Sequence, residues 1–463
     1  MRLFGTNGIR EVVGDRLTGP FVAQVAAAVA GLLPQGPPIA IGWDGRTSSP
    51  AYARITSATL ALAGHRVVEL GLLPTPGLQY NVTQVGAQLG LILTASHNPP
   101  EFNGIKCIGP DGLEVPRSFE EQIEARVAGS SPSSVPYDQV GSIATDPMGA
   151  ARYVEAIIAR VDAPRIRQRA FTVVLDCGNG ASVPTSPALL RALGCRVISL
   201  NAHVDGTFPG HLSEPTEANL KDLARAVPAF GADLGIAHDG DADRAVFVDA
   251  NGRYLPGERT LTLLARDAVR RHRGGVVVTP VSSSQSVEEV VRPIGGEVVY
   301  TRIGSPTVTR EMQRRSAIFG GEENGGLIFP ELHLARDGAM SAAALLNLLA
   351  REEIGLAGAV DELPSYVLRK EKIACPGPLL EPVFAAMLPR LSEGADQVVI
   401  IDGIKAYRQG GWVLVRRSGT EPLIRVFSEA RDRPTADRLA EEALQGIREI
   451  LGQLQPDRPV PVG

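Results

Sequence analysis

Asp239-Gly240-Asp241-Ala242-Asp243 sets three carboxylates at alternate positions of one short stretch. Carboxylates crowded this closely repel and raise one another's pKa unless a cation sits between them. Hard oxygen donors from a short loop suit Mg²⁺ or Ca²⁺. An EF-hand is excluded, because that loop needs Gly at its sixth position and Glu at its twelfth, where this chain has Arg244 and Ala250. A solvated acidic turn is the plain alternative. Strand-like LGIA before the triplet and AVFV after it place the loop at a strand end and favour a metal site.

Three protein carboxylates leave a Mg²⁺ ion short of six ligands, and a phosphoryl oxygen is a common completion. That bears on Thr94-Ala95-Ser96-His97-Asn98, where the apolar run Leu91-Ile92-Leu93 stops in a loop stiffened by Pro99 and Pro100. A serine carries either an acyl or a phosphoryl group. The glycines of a G-x-S-x-G elbow are missing here, so a hydrolase nucleophile fits poorly. Phosphoryl transfer needs positive charge around the transferring oxygens and in-line geometry. The candidates are a metal at the acidic triplet, Arg244 beside it, Lys106 downstream of Ser96, and Arg10 in FGTNGIR. His97 either fixes the serine or moves a proton, with a structural hydrogen bond as the alternative.

Two more polar loops follow. Arg416, Ser418, Gly419 and Thr420, with Arg425 nearby, supply guanidinium, hydroxyls and backbone N–H groups suited to a phosphate that is gripped and not broken. Many Ser-Gly-Thr turns bind nothing, so alone this is a moderate signal. Glu322-Glu323-Asn324-Gly325-Gly326 offers acceptors and donors without bulk, as a loop reaching sugar hydroxyls would; taken alone, a turn is the simpler reading.

What must position these loops is a repeat. Strand-like runs at 38–42, 171–175 and 275–279 are each followed by a small or polar loop, a helical stretch, a glycine stop and a second strand. Each unit then offers a third short strand ending in TASHNPPEFNG, AHDGDADR or GGEENGG. Strand–helix–strand alternation implies mostly parallel layers, whose sites gather at the carboxyl ends of strands. After about Tyr366 the pattern changes to alternating runs around Gly410-Gly411, a hairpin signal, and a helix from Pro434 to about Leu454. The reading is α/β: three similar α/β mixed-sheet domains at 1–145 (serine loop), 146–252 (metal loop) and 253–365 (sugar loop), plus a C-terminal phosphate-binding α+β domain at 366–463.

The bulk numbers exclude several classes. At 463 residues the chain is too long for a single core. A net charge of −5 with no basic stripe argues against nucleic acid as a main partner. Four scattered cysteines fit free thiols in a reducing compartment, neither a disulfide frame nor a zinc knuckle. Phe21 to Leu33 is apolar but too short to span a membrane and has mixed-charge flanks, so it reads as a buried helix behind Thr18-Gly19-Pro20. A cytoplasmic protein with no membrane partner is expected.

Together the motifs FGTNGIR, DGRTSS, TASHNPPEFNGIK, DGDADR, GGEENGG, RDGAM and RRSGTEP, in that order, resemble the α-D-phosphohexomutase family of phosphoglucomutase, phosphomannomutase and phosphoglucosamine mutase. The resemblance runs essentially end to end and implies four domains around one central cleft. It implies that Ser96 is phosphorylated, that Asp239, Asp241 and Asp243 hold one Mg²⁺ with a phosphoserine oxygen, and that Glu322 and Asn324 touch sugar hydroxyls. Arg416, Ser418, Gly419, Thr420 and Arg425 would hold the non-reacting phosphate. The implied reaction interconverts hexose 1- and 6-phosphates through a 1,6-bisphosphate, which also activates the enzyme by phosphorylating Ser96. Lys106 or His97 would be the general acid or base. GGEENGGLIFP looks most like archaeal members; many others carry S-G-H where this chain has Asn324-Gly325-Gly326, and Asp where it has Ser305. Two further readings use the same residues: a metal-dependent sugar-phosphate phosphatase acting through phosphoserine, and a non-catalytic sugar-phosphate binder.

Overall fold

The β-branched runs that open each repeat become the strands Ile39–Trp43, Thr172–Asp176 and Gly275–Pro280 of a computed structural model, which describes residues 2–5, 7–129, 134–408, 410–418 and 422–454. Each lies between a parallel neighbour reached through a helix (Val67–Leu72, Arg196–Leu200, Gly296–Thr301) and a second parallel strand that ends at a polar loop (Leu89–Leu93, Leu234–His238, Phe319–Gly321). Gly64, Gly194 and Gly295 stand at φ +91°, +82° and +87° between helix and second strand, a conformation only glycine adopts without cost. The chain then reverses: Phe102–Ile108, Ala245–Asp249 and Leu327–Phe329 return antiparallel, and one more antiparallel strand closes that side. Helix–strand alternation suggests mostly parallel sheets, but the loops at 94–101, 239–244 and 322–326 are shorter than the roughly dozen residues a parallel crossover requires. Each sheet is therefore mixed, and each polar loop is a reversal at the carboxyl end of a buried strand.

The first sheet gains a sixth strand, Ile143–Thr145, beside Val67–Leu72. The second reaches Tyr254–Leu255. The first helix is Gly19–Ala30, with Thr18 Oγ1 accepting the Phe21 N–H; Leu32 and Leu33 follow it in a turn and pack against the first core. In the tail, Val367–Ala374, Leu423–Ala430, Gly411–Arg417, Ile404–Arg408 and Gln397–Val399 form an all-antiparallel sheet, with the expected hairpin joining the third and fourth of these. Helices Leu380–Ser392 and Arg433–Leu454 cover the face that carries Val413 and Val415. Trp412 and Leu414, one residue out of phase, point to the opposite face and meet Val281 of the third unit.

The core is shared unequally. One apolar cluster runs from Val173, Ile236 and Phe247 in the second sheet to Leu261, Phe319 and Leu345 in the third unit. The helix Gly338–Glu352, buried along nearly its whole length, packs against both. Among the described residues no helix is long and apolar enough to cross a membrane.

Candidate active site

Ser96 is delivered by Leu89–Leu93 into a backbone conformation that non-glycine residues avoid, φ +52°. Such a residue costs about 1–3 kcal/mol and persists only where its surroundings over-determine it. Here they do. Thr94 Oγ1 accepts the Ser96 N–H (2.9 Å) and donates to Asp44 Oδ2 (2.6 Å). Arg46, 1% exposed, donates to the carbonyls of Ser96 (2.8 Å), Asn98 (2.6 Å), Pro99 (2.7 Å) and Phe102 (2.8 Å) while its Nε pairs with Asp44 (3.1 Å). Two groups from the second unit close over the same loop: Phe208 lies 5.1 Å from the Arg46 guanidinium, and Ser213 Oγ donates to the Asn98 carbonyl at 2.9 Å.

The serine thereby meets the acidic triplet. Ser96 Oγ donates to Asp239 Oδ2 at 3.1 Å across 143 residues of sequence. All three aspartates are buried, with one oxygen of each within 4.8 Å of the others. Asp241 Oδ2 takes Lys106 Nζ (2.7 Å) and Thr75 Oγ1 (2.6 Å), and Asp243 Oδ2 takes Arg336. Asp241 Oδ1 and Asp243 Oδ1 are buried without a partner. Three buried carboxylates this close, two of them with an oxygen that accepts no hydrogen bond, fit a hard divalent cation. Burial and repulsion by Asp243 and Asp241 hold the Asp239 carboxyl well above the ordinary carboxylate range. Against the upward push of burial, Lys106 and Thr75 hold Asp241 below it. A cation would relieve the first imbalance.

A cavity of about 500 Å³ opens beside this cluster, lined by Arg10, His97, Asn98, Arg244, Gly304, Glu322, Asn324 and Arg336. Arg10 Nη1 donates to Asn98 Oδ1 (2.9 Å), and its Nε is a buried donor without a partner. Arg244 lies 3.7 Å from both Asp239 and Asp243 and donates to His97 Nδ1 at 3.0 Å. His97 Nδ1 is thus an acceptor, 3.4 Å from Ser96 Oγ. Burial and the neighbouring Arg244 and Arg10 push the imidazole down to about 2, so it stays neutral. That geometry favours fixing the serine over carrying its proton.

The loop after Phe319–Gly321 splits its residues. Glu322 turns inward, accepting from Gly304 N (3.2 Å) and Arg336 (2.7 Å), and Asn324 lines the cavity. Glu323 turns away to Ser282. Arg416 and Ser418 do not reach this cavity. They line a neighbouring one of about 690 Å³ with Arg2, Arg302, Asp402 and Arg417, and Arg416 pairs with Asp402 at 3.0 Å. Arg302 lines the second cavity and Ile303 and Gly304 the first, so the two abut. Arg425 stands opposite Arg416 in the fourth sheet; Gly419 and Thr420 lie outside the described residues.

Sequence reasoning brings Ser96, His97, Lys106, Arg10, Arg244, Asp239, Asp241, Asp243, Glu322 and Asn324 to one place, and the structure does the same. It missed Asp44, Arg46, Thr75 and Arg336. Arg46 and Arg336 stood in motifs noticed for other reasons, DGRTSS and RDGAM, but nothing local says what a guanidinium there touches.

Comparison with known proteins gives matches along the chain. Models of phosphoglucomutase/phosphomannomutase alpha/beta/alpha domains I, II and III match residues 1–133, 151–252 and 256–366, and the model of the C-terminal domain matches 377–445. A phosphoglucomutase/phosphomannomutase of Thermococcus kodakarensis is 38% identical over 460 residues, spanning 96% of this chain and 100% of that protein. A phosphoglucosamine/phosphogalactosamine mutase of Sulfurisphaera tokodaii is 36% identical over 445 residues, spanning 95% and 98%. A crystal structure of a phosphoglucomutase/phosphomannomutase family protein from Burkholderia thailandensis superposes with a TM-score of 0.87 at 27% identity, covering 99% of each chain.

Proposed function

The chain belongs to the phosphoglucomutase/phosphomannomutase family of isomerases, and on that premise we propose that it interconverts hexose 1-phosphates and hexose 6-phosphates through a phosphorylated Ser96. The observation that carries this reading is the Ser96 hydroxyl held 3.1 Å from Asp239, beside a cavity whose wall carries Arg10 and Arg244. A phosphoryl group on Ser96 passes to the free hydroxyl at C1 or C6: its bond to Oγ breaks, a bond to the sugar oxygen forms, and the hydroxyl proton leaves. The bisphosphate turns round, and the other phosphate returns to Ser96 by the reverse step. Arg10 and Arg244 face the charge that develops on the transferring oxygens. His97, occupied by Arg244, positions the serine. Lys106 is left to carry the proton. When bound at Asp239, Asp241, Asp243 and the Ser96 oxygen, Mg²⁺ supplies the positive charge that phosphoryl transfer requires.

Glu322 and Asn324 read sugar hydroxyls, and Arg416, Ser418, Gly419, Thr420 and Arg425 hold the phosphate that does not react. Hexose 1,6-bisphosphate primes Ser96. The four cysteines, all free and buried, suit a cytoplasmic setting. The domain division at 145, 252 and 365 belongs to the same reading. Ile143–Thr145 at the edge of the first sheet and Val367 opening the fourth support its outer cuts, while Tyr254–Leu255 carries the second sheet just past the middle one.

The test is a panel of glucose, mannose and glucosamine phosphates, with isomerised sugar phosphate separated from free phosphate. Isomer without free phosphate is expected; free phosphate as the main product would establish a phosphatase instead. Ser96→Ala should lose turnover and the phosphate detected on the intact protein, yet still bind sugar phosphate. Full activity in that variant ends the proposal.

A further inference from the structure

One guanidinium joins two loops that the proposed function treats separately. Arg336, 7% exposed, ends the strand His333–Arg336; its Nη1 donates to Glu322 Oε2 at 2.7 Å and its Nη2 to Asp243 Oδ2. Asp243 therefore uses Oδ2 on the arginine, and its Oδ1 accepts no hydrogen bond and has only the Arg244 Nε at 3.7 Å. Glu322 is held on its other side by the Gly304 N–H. The arginine's own backbone is anchored by the next residue: Asp337 accepts from Tyr153 Oη (2.6 Å) and from the Met340 N–H (2.8 Å) at the start of a long buried helix.

The path of this side chain is built into the sugar loop. A Cβ at Gly326 would lie 2.4 Å from Arg336 Cδ and 3.2 Å from Cγ, so only glycine lets the arginine run past the loop to Asp243. Glycine at 326 and arginine at 336 are one device.

Resting on the mutase reading, we propose that Arg336 is a positioning residue that couples divalent-cation binding at Asp243 to sugar binding at Glu322. The argument is one of charge. Without a cation, the positive charge that faces the three buried carboxylates comes from Lys106, Arg244 and Arg336, and Arg336 has to divide its two Nη groups between Asp243 and Glu322. A cation held by the triplet would take over the neutralisation of Asp243 and leave the charge of the guanidinium to Glu322, fixing that carboxylate more firmly in the orientation that meets a sugar hydroxyl. Cation and sugar then bind with positive cooperativity. By linkage each must tighten the other by the same factor.

The experiment measures Mn²⁺ affinity by electron paramagnetic resonance, on protein of one phosphorylation state verified by intact mass. It is run with and without the 1-deoxy analogue of glucose 6-phosphate, with glucosamine 6-phosphate as second probe. The analogue has one phosphate for the fourth unit's loop and no C1 hydroxyl to accept another. Wild type should bind Mn²⁺ about 5-fold tighter or more when the sugar phosphate is present. In Arg336→Met the ratio should fall to about 1. Gly326→Ala, which keeps both charges but displaces the arginine, should do the same and serves if Arg336→Met fails to fold. A wild type without cooperativity, or a folded variant that retains it, overturns the proposal. Wild type that takes Mn²⁺ but neither sugar phosphate removes the mutase reading, and this inference with it.

Discussion

Arg46→Lys tests whether the backbone of the serine loop, and not only its side chains, belongs to the catalytic apparatus. The guanidinium satisfies five acceptors at once: Asp44 Oδ2 and the carbonyls of Ser96, Asn98, Pro99 and Phe102. A lysine ammonium has three protons and no planar fork, so at least two of these acceptors go unmet. A buried acceptor left unsatisfied costs about 1–3 kcal/mol. Two of them cost as much as, or more than, the roughly 1–3 kcal/mol of strain stored in a left-handed Ser96. The loop then has reason to relax, and relaxation moves Oγ away from Asp239.

A displacement of about 1 Å at a reacting group can cost on the order of 10²-fold in rate. The expected result is a kcat lowered about 10²-fold, with KM for sugar phosphate changed less than about 2-fold because the phosphate grip lies in the fourth unit. Phosphorylation of Ser96 by bisphosphate, followed by intact mass, should slow in parallel. Amide exchange at 94–102 should rise while the denaturation midpoint of the whole protein moves little. A folded Arg46→Lys protein with kcat within about 2-fold of wild type would refute the idea that Arg46 holds the serine in register.

Two further outcomes are open to direct measurement. On the proposed reading Arg416→Ala removes a charge-assisted contact to the non-reacting phosphate, so KM should rise about 10-fold or more, the equivalent of about 1.5–3 kcal/mol; an unchanged KM takes that loop out of the site. His238 is buried, its Nδ1 facing the Arg244 carbonyl at 2.9 Å, and burial lowers its pKa. A histidine kept neutral in the fold gives stability that is present above its unfolded value of 6.5 and lost as pH falls below it, at up to about 1.4 kcal/mol per unit. His238→Gln should flatten the fall in denaturation midpoint between about pH 7 and pH 5, and equal slopes would dismiss His238 as the group responsible.

What could be read from the sequence is what is local in it. The acidic triplet and the serine loop each carry their chemistry within a few residues, and the strands that deliver them are apolar runs with glycine stops. Arg46 and Arg336 escaped because their partners are remote. The carbonyls Arg46 serves lie 50 to 56 residues away and have no side-chain identity, while Arg336 reaches Asp243 across 93 residues. Thr75 reaches Asp241 across 166. The mixed-sheet reading of the three units agrees with the structure, although alternation of strand and helix shows only the crossovers and the reversals lie in the shortness of the loops.

The distance between the proposed phosphate grip and the cavity follows from how the four units are joined. The second and third units share one apolar cluster, so the metal and sugar loops cannot shift against each other without opening a core. The first unit is pinned to the second by Ser213 on the Asn98 carbonyl of the serine loop and by Thr75 on Asp241. The fourth unit meets the third through a far smaller contact. Lys405 Nζ donates to the Val281 carbonyl at 2.8 Å and sits 3.9 Å from the Trp412 ring, and Glu429 accepts both the Gln285 N–H and the Trp412 indole N–H at 2.9 Å. Buried ammonium and carboxylate groups make that contact costly to pull apart. Around it lie more exposed contacts: the Asp402 bond to the Ile303 N–H, Arg431 and the Tyr366 hydroxyl on Glu289, and Lys370 3.8 Å from Glu323. A mutase must grip a phosphate on either end of a hexose while the reacting end stays in one place. Three loops on a common body, with the fourth unit joined by a small buried contact and exposed ion pairs, suit that demand better than a fourth unit fused into the common core would.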